Sequence, residues 1–273
     1  MGRGPEPQDV ARARREAIRA LPQETAWAAP LRRRYVEEVA RTGVGFADNL
    51  RNPYAWVVYV YYTGLLQRLL PDKRARIVDW GGLYGHVTAL LRERGYEDTS
   101  NYLLFLPDRY ADFERTFALP TLYGKEPNAL ALPDASVDCF ISSGVLEHVR
   151  EDGVGREDLV LKEVRRVLKP GGILAVWHLP TTLAAADLWG KLRGRWYHRY
   201  RYGERQVRRL VADAGLDLVH LERHGGSVPG TALRVAGAPP ARQLASDLAW
   251  GKVPVARLTA QNFALIARRS TDA

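Results

Sequence analysis

Hydrophobic and polar residues change their arrangement near residue 73. Residues 1–72 follow a helical pattern, with turn signals at residues 21–24 and 51–54. From Arg74 onward, short apolar runs alternate with amphipathic stretches, which predicts strands that are each followed by a helix. We therefore divide the chain into an N-terminal helical extension, residues 1–72, and a second unit, residues 73–273.

The second unit reads as an α/β protein. Strands are predicted at residues 74–80, 101–106, 120–124, 136–144, 173–179, 216–223 and 262–269, and helices at residues 85–95, 156–169 and 204–215. Strands that alternate with helices imply right-handed crossovers and a mostly parallel sheet. The predicted fold is a Rossmann-like seven-stranded sheet with helices on both faces. Insertions at about 180–203 and 225–260 follow strands, at the edge where open α/β sheets bind ligands.

Composition narrows the classes of protein that fit. A chain of 273 residues with 46% hydrophobic residues can fill a globular core. Its single cysteine, Cys139, excludes a disulfide framework and a cysteine-based zinc site, and we predict no metal site. The chain starts without an apolar leader, so we expect a cytoplasmic protein. Residues 52–67 carry no charge but are too short to span a bilayer; we expect a helix packed on the sheet, with contact to a membrane surface as the alternative.

The positive charge is concentrated in one segment. The chain has a net charge of +9, and residues 191–209 contribute +7 of it, with eight Lys or Arg and one Glu. A local cluster favours an anionic acceptor over general nucleic-acid binding. Arginine binds phosphate or carboxylate with paired hydrogen bonds, and aromatic faces stack on sugars. A solvated helix pair is the alternative. The candidate acceptor-binding residues are Arg195, Trp196, His198, Arg199 and Arg201.

A glycine-rich loop follows the first predicted strand. In the stretch "DWGGLYGHV", Asp79 ends the strand, and Gly81, Gly82 and Gly85 precede a helix. This geometry directs backbone N–H groups and a helix N-terminus at a ligand. A sharp strand-to-helix turn without a ligand has the same pattern.

Two downstream segments extend this pattern: "NALALPDASVDCFISSGVLEHV" and "EVRRVLKPGGILAVWHLP". With them, residues 74–222 and 263–268 resemble the class I S-adenosylmethionine-dependent methyltransferases, in particular the small-molecule branch similar to methyltransferase type 11. The resemblance implies S-adenosyl-L-methionine as the cofactor. By this resemblance, the cofactor-binding residues are Asp79, Gly81, Gly82, Gly85, Asp108, Asn128, Ala129 and Ser143.

The chain departs from the family's pattern in the cofactor region. Leu83 stands where the family usually has glycine, and its Cβ either displaces the cofactor or closes one backbone approach. Phe105 stands near the usual acidic residue that binds the ribose hydroxyls. The loss of such a charged hydrogen bond costs about 1.5–3 kcal/mol, and Asp108 is the candidate substitute. Asn128 stands where relatives often carry an Asp that contacts adenine, and its amide oxygen can accept the same bond.

Histidines are the candidate catalytic residues. Methyl transfer from a sulfonium needs mainly in-line positioning, and a hydroxyl acceptor also benefits from a base near neutral pH. His178 follows the fifth predicted strand and is the predicted base. His198 and His224 are further candidates. His148, in "LEHV", is read as orienting a helix start, and the neighbouring Glu147 as structural.

The predicted function is S-adenosylmethionine-dependent methylation of a small molecule, as O-methylation of a sugar, glycan or natural-product hydroxyl. The charge suggests an RNA or DNA methyltransferase as an alternative. Base-methylating relatives, however, carry an Asn/Asp-Pro-Pro-aromatic motif after the fourth strand, where this chain has "SSGVLEHV". Leu83 and Phe105 suggest a second alternative, a degenerate methyltransferase fold that serves as a binding or scaffold protein.

Overall fold

A computed structural model gives the fold of residues 4–45, 47–104, 110–151, 153–183, 194 and 198–271. In these residues, seven strands form one sheet in the order β3-β2-β1-β4-β5-β7-β6. The strands are β1 (Ile77–Trp80), β2 (Thr99–Leu103), β3 (Thr121–Tyr123), β4 (Val137–Ser143), β5 (Leu168–Pro180), β6 (Leu216–His224) and β7 (Asn262–Arg269). Neighbours among β1 to β5 are parallel, and β7 runs antiparallel to β5 and β6. The predicted mostly parallel sheet is confirmed.

Helices cover both faces of this sheet. They are α1 (Pro7–Thr42), α2 (Asp48–Arg51), α3 (Pro53–Leu69), α4 (His86–Glu93), α5 (Ala111–Thr116), α6 (Glu157–Val167), α7 (Glu204–Asp213), α8 (Val228–Val235) and α9 (Pro240–Trp250). Single 3₁₀ turns lie at Leu146–His148 and Pro254–Leu258. The three helices that the sequence predicts after residue 74 are present as α4, α6 and α7, whereas α5, α8 and α9 are not among its predicted elements.

The two faces of the sheet form two separate hydrophobic cores. Successive side chains of a strand point to opposite faces. Ile77 and Ile141 therefore pack against α1, α3, α4 and α9, whereas their neighbours Val78 and Phe140 pack against α6 and α7. Because both faces are covered, the central strands are continuously buried, as all four residues of β1 show.

Helix α1 runs unbroken for 36 residues, so the turn predicted at residues 21–24 is wrong. Pro22 and Pro30 lie inside the helix, and a proline in a helix interior costs about 3 kcal/mol. The buried positions nevertheless continue at helical spacing on both sides of the prolines, from Leu21 through Ala28 to Tyr35. Packing of this stripe on α3 and the sheet outweighs the local penalty.

A buried ion pair joins α1 to β6, the strand at one edge of the sheet. The Arg14 Nε donates to Glu222 Oε2 on β6 at 2.6 Å, and both side chains are less than a tenth exposed. A second nitrogen of Arg14 donates to the Leu248 carbonyl at 2.9 Å. The hydroxyl of Tyr62 donates to the other oxygen of Glu222 at 3.3 Å. One guanidinium therefore connects α1, β6 and α9.

Helix α3 contains the uncharged segment for which the sequence allows two alternatives, packing on the sheet or contact with a membrane surface. Its residues from Ala55 to Leu66 are all buried, which confirms the prediction that it packs on the sheet. The helix starts at Pro53, after Asn52, whose side chain accepts a hydrogen bond from the Tyr54 N–H at 3.0 Å. In the part of the chain that the structure describes, no helix is long and apolar enough to cross a membrane.

The two predicted insertions differ in how much of them is described. The second forms α8 and α9, and α9 packs against α3 and β6. Most of the first lies outside the described residues. Its last part rejoins the sheet through a bridge between Thr181 and Tyr202. The Tyr202 hydroxyl donates to Glu157 Oε1 at 2.8 Å, so this tyrosine is a buried anchor.

Candidate active site at the carboxyl edge of the sheet

The carboxyl ends of β1, β4 and β5 bring three chain segments together. In the register of the sheet, Trp80 is the partner of Ser142, and Ser143 is the partner of Trp177. The residues that follow these positions therefore lie along one edge. They include Gly81, Gly144 and His178, which the sequence separates by almost 100 residues. The order of the strands creates this site.

The glycine loop after β1 requires its glycines for two reasons. Gly81 and Gly85 have φ angles of +71° and +63°, a region that disfavours any side chain with a Cβ. A Cβ on Gly81 would also lie 2.6 Å from a methyl carbon of Val145. A Cβ on Gly82 would lie 2.8 Å from Asn101 Oδ1 and would overlap the carboxylate of Asp79. The turn and the close approach that the sequence predicts are both present.

Asp79 is a buried carboxylate at the base of this loop. Its Oδ2 accepts hydrogen bonds from the Thr88 backbone N–H at 3.2 Å and the Thr88 hydroxyl at 3.0 Å. Its Oδ1 has no hydrogen-bond partner. Burial raises the pKa of Asp79 to about 7, and the bonds from Thr88 only partly oppose the effect. Asp79 therefore offers a free acceptor oxygen to a ligand in the loop.

The N-terminal extension braces the glycine loop. The hydroxyl of Tyr35, on α1, donates to the Tyr84 carbonyl at 3.2 Å. The hydroxyl of Tyr84 donates in turn to the Gly45 carbonyl at 2.7 Å. Leu83, which replaces the usual glycine, is half-buried and packs against the core that contains α1 and α3. Leucine at this position thus attaches the loop to the extension, a role that sequence reasoning missed.

His178 lies on a distorted part of β5. The pairing of β5 with β7 shifts register between Val176 and Leu179, and His178 has a φ of +61°, a conformation that residues other than glycine rarely adopt. His178 is half-buried, but its Nε2 is shielded from solvent and has no hydrogen-bond partner. Burial, with the nearby His224, holds the pKa of His178 well below its usual value. The imidazole is therefore neutral at pH 7.

A chain of aromatic rings connects His178 to the glycine loop. The ring of Tyr59, on α3, lies 4.2 Å from the His86 ring and 5.1 Å from the His178 ring, measured between centroids. The His178 ring lies 5.7 Å from the His224 ring. Burial lowers the pKa of His86 to about 3 and that of His224 to about 4, so both imidazoles are also uncharged near neutral pH.

Buried polar atoms without a partner are concentrated at this edge. They include Asp79 Oδ1, both ring nitrogens of His86, Glu147 Oε1, His178 Nε2 and His224 Nε2. Buried polar groups in folded proteins are almost always paired, and each one left unpaired costs about 1–3 kcal/mol. Such a cluster at one edge of a sheet indicates a binding site for a polar ligand.

A cavity of about 310 Å³ opens beside His178. It lies between α3, the carboxyl ends of β5 and β6, and the second insertion. Its polar lining residues include Asn52, Tyr54, His178, His224, Arg234, Gln243, Asp247 and Asn262. The Asp247 carboxylate accepts hydrogen bonds from Tyr54 and from Ser227. The volume is at the lower end of the range for small-molecule sites. Sequence reasoning placed an insertion here and singled out His178 and His224, but it did not identify the other lining residues.

Comparison with known proteins agrees with this geometry. Residues 78–176 match the family model described as "Methyltransferase domain", Methyltransf_11. The chain contains a methyltransferase domain. A search of curated proteins finds no match.

Solved structures share the fold of this chain. A S-adenosylmethionine-dependent methyltransferase from Archaeoglobus fulgidus is similar at 16% identity and a TM-score of 0.56, over 82% of this chain and 98% of that chain. The complex of the Haloferax volcanii Trm112 methyltransferase activator with a putative methyltransferase is similar at 16% identity and a TM-score of 0.56, over 90% of this chain and 97% of that chain. A putative sarcosine dimethylglycine methyltransferase from Galdieria sulphuraria is similar at 18% identity and a TM-score of 0.50, over 81% of this chain and 87% of that chain.

The family implies S-adenosylmethionine as the cofactor, and the residues present fit it. The cofactor carries an ammonium group and hydroxyl groups, which need acceptors. The free oxygen of Asp79 is one such acceptor, and Gly81 and Gly85, which have positive φ angles and no Cβ, allow close approach to the backbone of the loop. The site residues taken from the family resemblance stay predictions.

Other predicted cofactor residues of the methyltransferase have different surroundings. The amide of Asn128 is engaged locally: its Nδ2 donates to the Val154 carbonyl at 3.1 Å, and its Oδ1 accepts from the Arg156 N–H at 2.6 Å. Ala129 follows it in the same loop, and Ser143 ends β4. Phe105 and Asp108 lie outside the described residues.

The basic segment at residues 191–209 is only partly described. Arg195 and Trp196 lie outside the described residues, whereas His198, Arg199 and Arg201 lie within them. The Arg199 guanidinium lies 5.6 Å from the centroid of its neighbour's ring, Tyr200. The remaining arginines from 205 to 209 belong to α7, where Arg208 pairs with Glu204 at 2.8 Å. His198 lies with its ring 6.0 Å from that of His148, an approach that the sequence did not predict.

Proposed function

We propose that this methyltransferase methylates a hydroxyl group of a small molecule, of the sugar, glycan or natural-product class. The observation that carries the proposal is the cavity of about 310 Å³ whose wall contains His178, next to the edge that holds the glycine loop. A cavity of this size suits a small molecule rather than a nucleic-acid strand. The name of the Galdieria neighbour, a putative sarcosine dimethylglycine methyltransferase, supports a small-molecule acceptor.

Cofactor binding is assigned to the loop after β1. Asp79 offers its unpartnered Oδ1, and Gly81 and Gly85 supply the left-handed turns that expose backbone N–H groups beside the start of α4. Asp108 is the candidate ribose ligand in place of the family's acidic residue, for which this chain has Phe105. By family resemblance, the loop of Asn128 and Ala129 with Ser143 borders the adenine side. When bound there, S-adenosylmethionine would supply the methyl group for an in-line displacement, and its sulfur would be left neutral.

His178 is assigned to the acceptor hydroxyl. Its Nε2 is buried and unpartnered, and the neutral imidazole can accept a hydrogen bond from that hydroxyl. The hydroxyl becomes strongly acidic as its oxygen bonds to the methyl carbon. A base of low pKa is therefore sufficient to take the proton late in the transfer. His178 positions the oxygen first and receives the proton afterwards.

Calorimetric titration with S-adenosylmethionine tests this function. Wild-type protein should bind the cofactor, and Gly81→Ala should abolish or severely weaken binding, because the new Cβ would meet Val145. Gly43→Ala is the matched control: Gly43 has a similar φ of +64°, and a Cβ there meets nothing within 4 Å. Both variants carry the same type of backbone strain. No heat at millimolar cofactor with folded wild-type protein would favour the scaffold alternative.

An acceptor screen completes the test. Sugar phosphates, nucleotide sugars and phenolic acids should be incubated with labelled S-adenosylmethionine, with RNA and DNA duplexes in parallel. Transfer to a small molecule, lost in His178→Asn, supports the proposal. Asparagine tolerates the positive φ of this position but cannot take up a proton. Transfer to nucleic acid alone would reject it.

A further inference from the structure

Glu147, His148 and His198 form a cluster that the methyl-transfer site does not use. Glu147 and His148 lie in the 3₁₀ turn after β4, and His198 lies 50 residues later, beyond β5. Each residue offers one ligand atom, and these atoms all lie within 4.8 Å of one another. In the described part of the chain, this is the group of three such residues close enough to hold a metal ion.

The carboxylate of Glu147 has the surroundings of a ligand. Its side chain is 2% exposed, and its Oε1 has no hydrogen-bond partner. The nearest imidazole nitrogen of His148, Nε2, lies 4.0 Å away, too far for a hydrogen bond. The buried Glu147 Oε1 and the His148 Nε2 thus face each other without a hydrogen bond, and both are atoms that can coordinate a metal ion.

His148 is oriented by a second carboxylate. Its Nδ1 lies 3.0 Å from Glu151 Oε1, which leaves Nε2 to face Glu147. Metal-bound histidines typically bond through their other ring nitrogen to a carboxylate or carbonyl, which fixes the tautomer. Glu151 occupies that supporting position.

The donor set selects a class of ion. Two imidazoles and one carboxylate suit first-row divalent transition metals, whereas Mg²⁺ and Ca²⁺ prefer oxygen ligands. Metal–ligand bonds of about 2.0–2.2 Å place the ligand atoms of a tetrahedral site about 3.4 Å apart. The distances between the three ligand atoms would therefore have to shorten by about 1 Å, a movement that rotation of the side chains provides. Three protein ligands leave at least one coordination position open.

The cluster adjoins the proposed acceptor site. A Cβ on Gly144 would lie 3.8 Å from both Glu147 Oε1 and the Cβ of His178. The carboxylate of Glu147 and His178 therefore flank one glycine at the end of β4. An ion held by Glu147 would be a neighbour of the hydroxyl assigned to His178.

We propose that Glu147, His148 and His198 bind a divalent first-row transition-metal ion whose open position takes an oxygen of the acceptor. The sequence alone predicted no metal site. The metal site itself stands on the geometry of the cluster, and its role toward the acceptor rests on the function proposed above. An acceptor with an oxygen placed to bind the ion is therefore the expected substrate class.

Metal titration of chelator-treated protein tests the site directly. Calorimetry with Zn²⁺ and the visible spectrum of Co²⁺ should show one ion per chain, and Mg²⁺ should give no heat. Glu147→Gln and His198→Asn should each weaken binding more than about 100-fold, and Glu151→Gln about 10- to 100-fold. Glu126→Gln, which removes an exposed carboxylate elsewhere, should stay within about twofold.

Each outcome decides the proposal. No binding at millimolar Zn²⁺ and Co²⁺ would overturn it, and so would binding that Glu147→Gln, His198→Asn and Glu151→Gln all retain. Thermal melting checks folding; if Glu147→Gln does not fold, His198→Asn provides the decision. The titration of S-adenosylmethionine is repeated on metal-free protein. Cofactor binding without metal binding rejects the site and keeps the proposed function, whereas metal binding without cofactor binding does the reverse.

Discussion

Replacement of Arg14 by methionine should destabilise the fold through one buried ion pair. The guanidinium bonds to Glu222 and to the Leu248 carbonyl, and the pair is shielded from water. Burial alone would raise the pKa of Glu222, but His220 and Arg14 outweigh it and lower that pKa to about 2. The pKa of a glutamate in an unfolded chain is about 4.3. The lowering of the Glu222 pKa therefore corresponds to about 3 kcal/mol of folding stability, to which His220 and Arg14 both contribute.

The expected loss for Arg14→Met is about 3 kcal/mol at pH 7. The variant loses the part of the stabilisation of ionised Glu222 that Arg14 provides. The Leu248 carbonyl also loses its hydrogen-bond donor, which adds about 1 kcal/mol to the loss of stability. Removal of one partner from a buried pair typically costs about 3–5 kcal/mol, because the other charge stays buried. The free energy of unfolding should be measured in urea, with the double variant Arg14→Met/Glu222→Gln. That variant should recover at least about 1 kcal/mol of the loss.

The pH dependence separates charge from packing. The folded pKa of Glu222 is depressed, so its contribution is present above the unfolded pKa of about 4.3 and is lost as the pH falls toward 2. The difference between wild-type protein and Arg14→Met should therefore be largest near pH 7 and shrink below pH 4. A difference below about 1 kcal/mol at pH 7, or one that does not change with pH, would refute the reasoning.

Other predictions address the site. Tyr35→Phe should lower the free energy of unfolding by about 1 kcal/mol and weaken S-adenosylmethionine binding in calorimetry, because the glycine loop loses its bond to α1. Asp108→Ala should weaken the same binding ten- to hundredfold, about 1.5–3 kcal/mol, whereas unchanged affinity would mean that other groups hold the ribose. His178→Asn should lower kcat about 10²- to 10⁴-fold with cofactor affinity unchanged. For an anionic acceptor, replacement of Arg199 and Arg201 by Gln should raise KM, and so should added salt; unchanged kinetics would mean that these arginines are only solvated.

The sequence by itself determined the type of fold. Apolar runs marked all seven strands, and the third to seventh predicted strands fall close to the observed ones. The period of apolar residues is a local property that each segment carries regardless of its partners. The glycine loop was equally readable, because positive φ angles at Gly81 and Gly85 demand glycine wherever the rest of the chain lies.

Tertiary packing overruled the sequence where local and global preferences conflict. Pro22 predicted a turn, but the buried stripe from Leu21 to Tyr35 holds α1 straight through it. Leu83 read as a defect in the cofactor loop, and its packing against the α1 core makes it an attachment point. A local signal states what a residue prefers, whereas the contacts that outweigh this preference come from distant segments.

Only the tertiary structure decided which residues share the site. The strand order places the ends of β1, β4 and β5 side by side, and the second insertion encloses the cavity beside His178. The same arrangement brings His198 next to Glu147 and His148, although nothing in the sequence indicates that His198 lies near the other two residues. No periodic pattern encodes these distances, because they depend on how each insertion folds back over the sheet and on the side chains that it meets there.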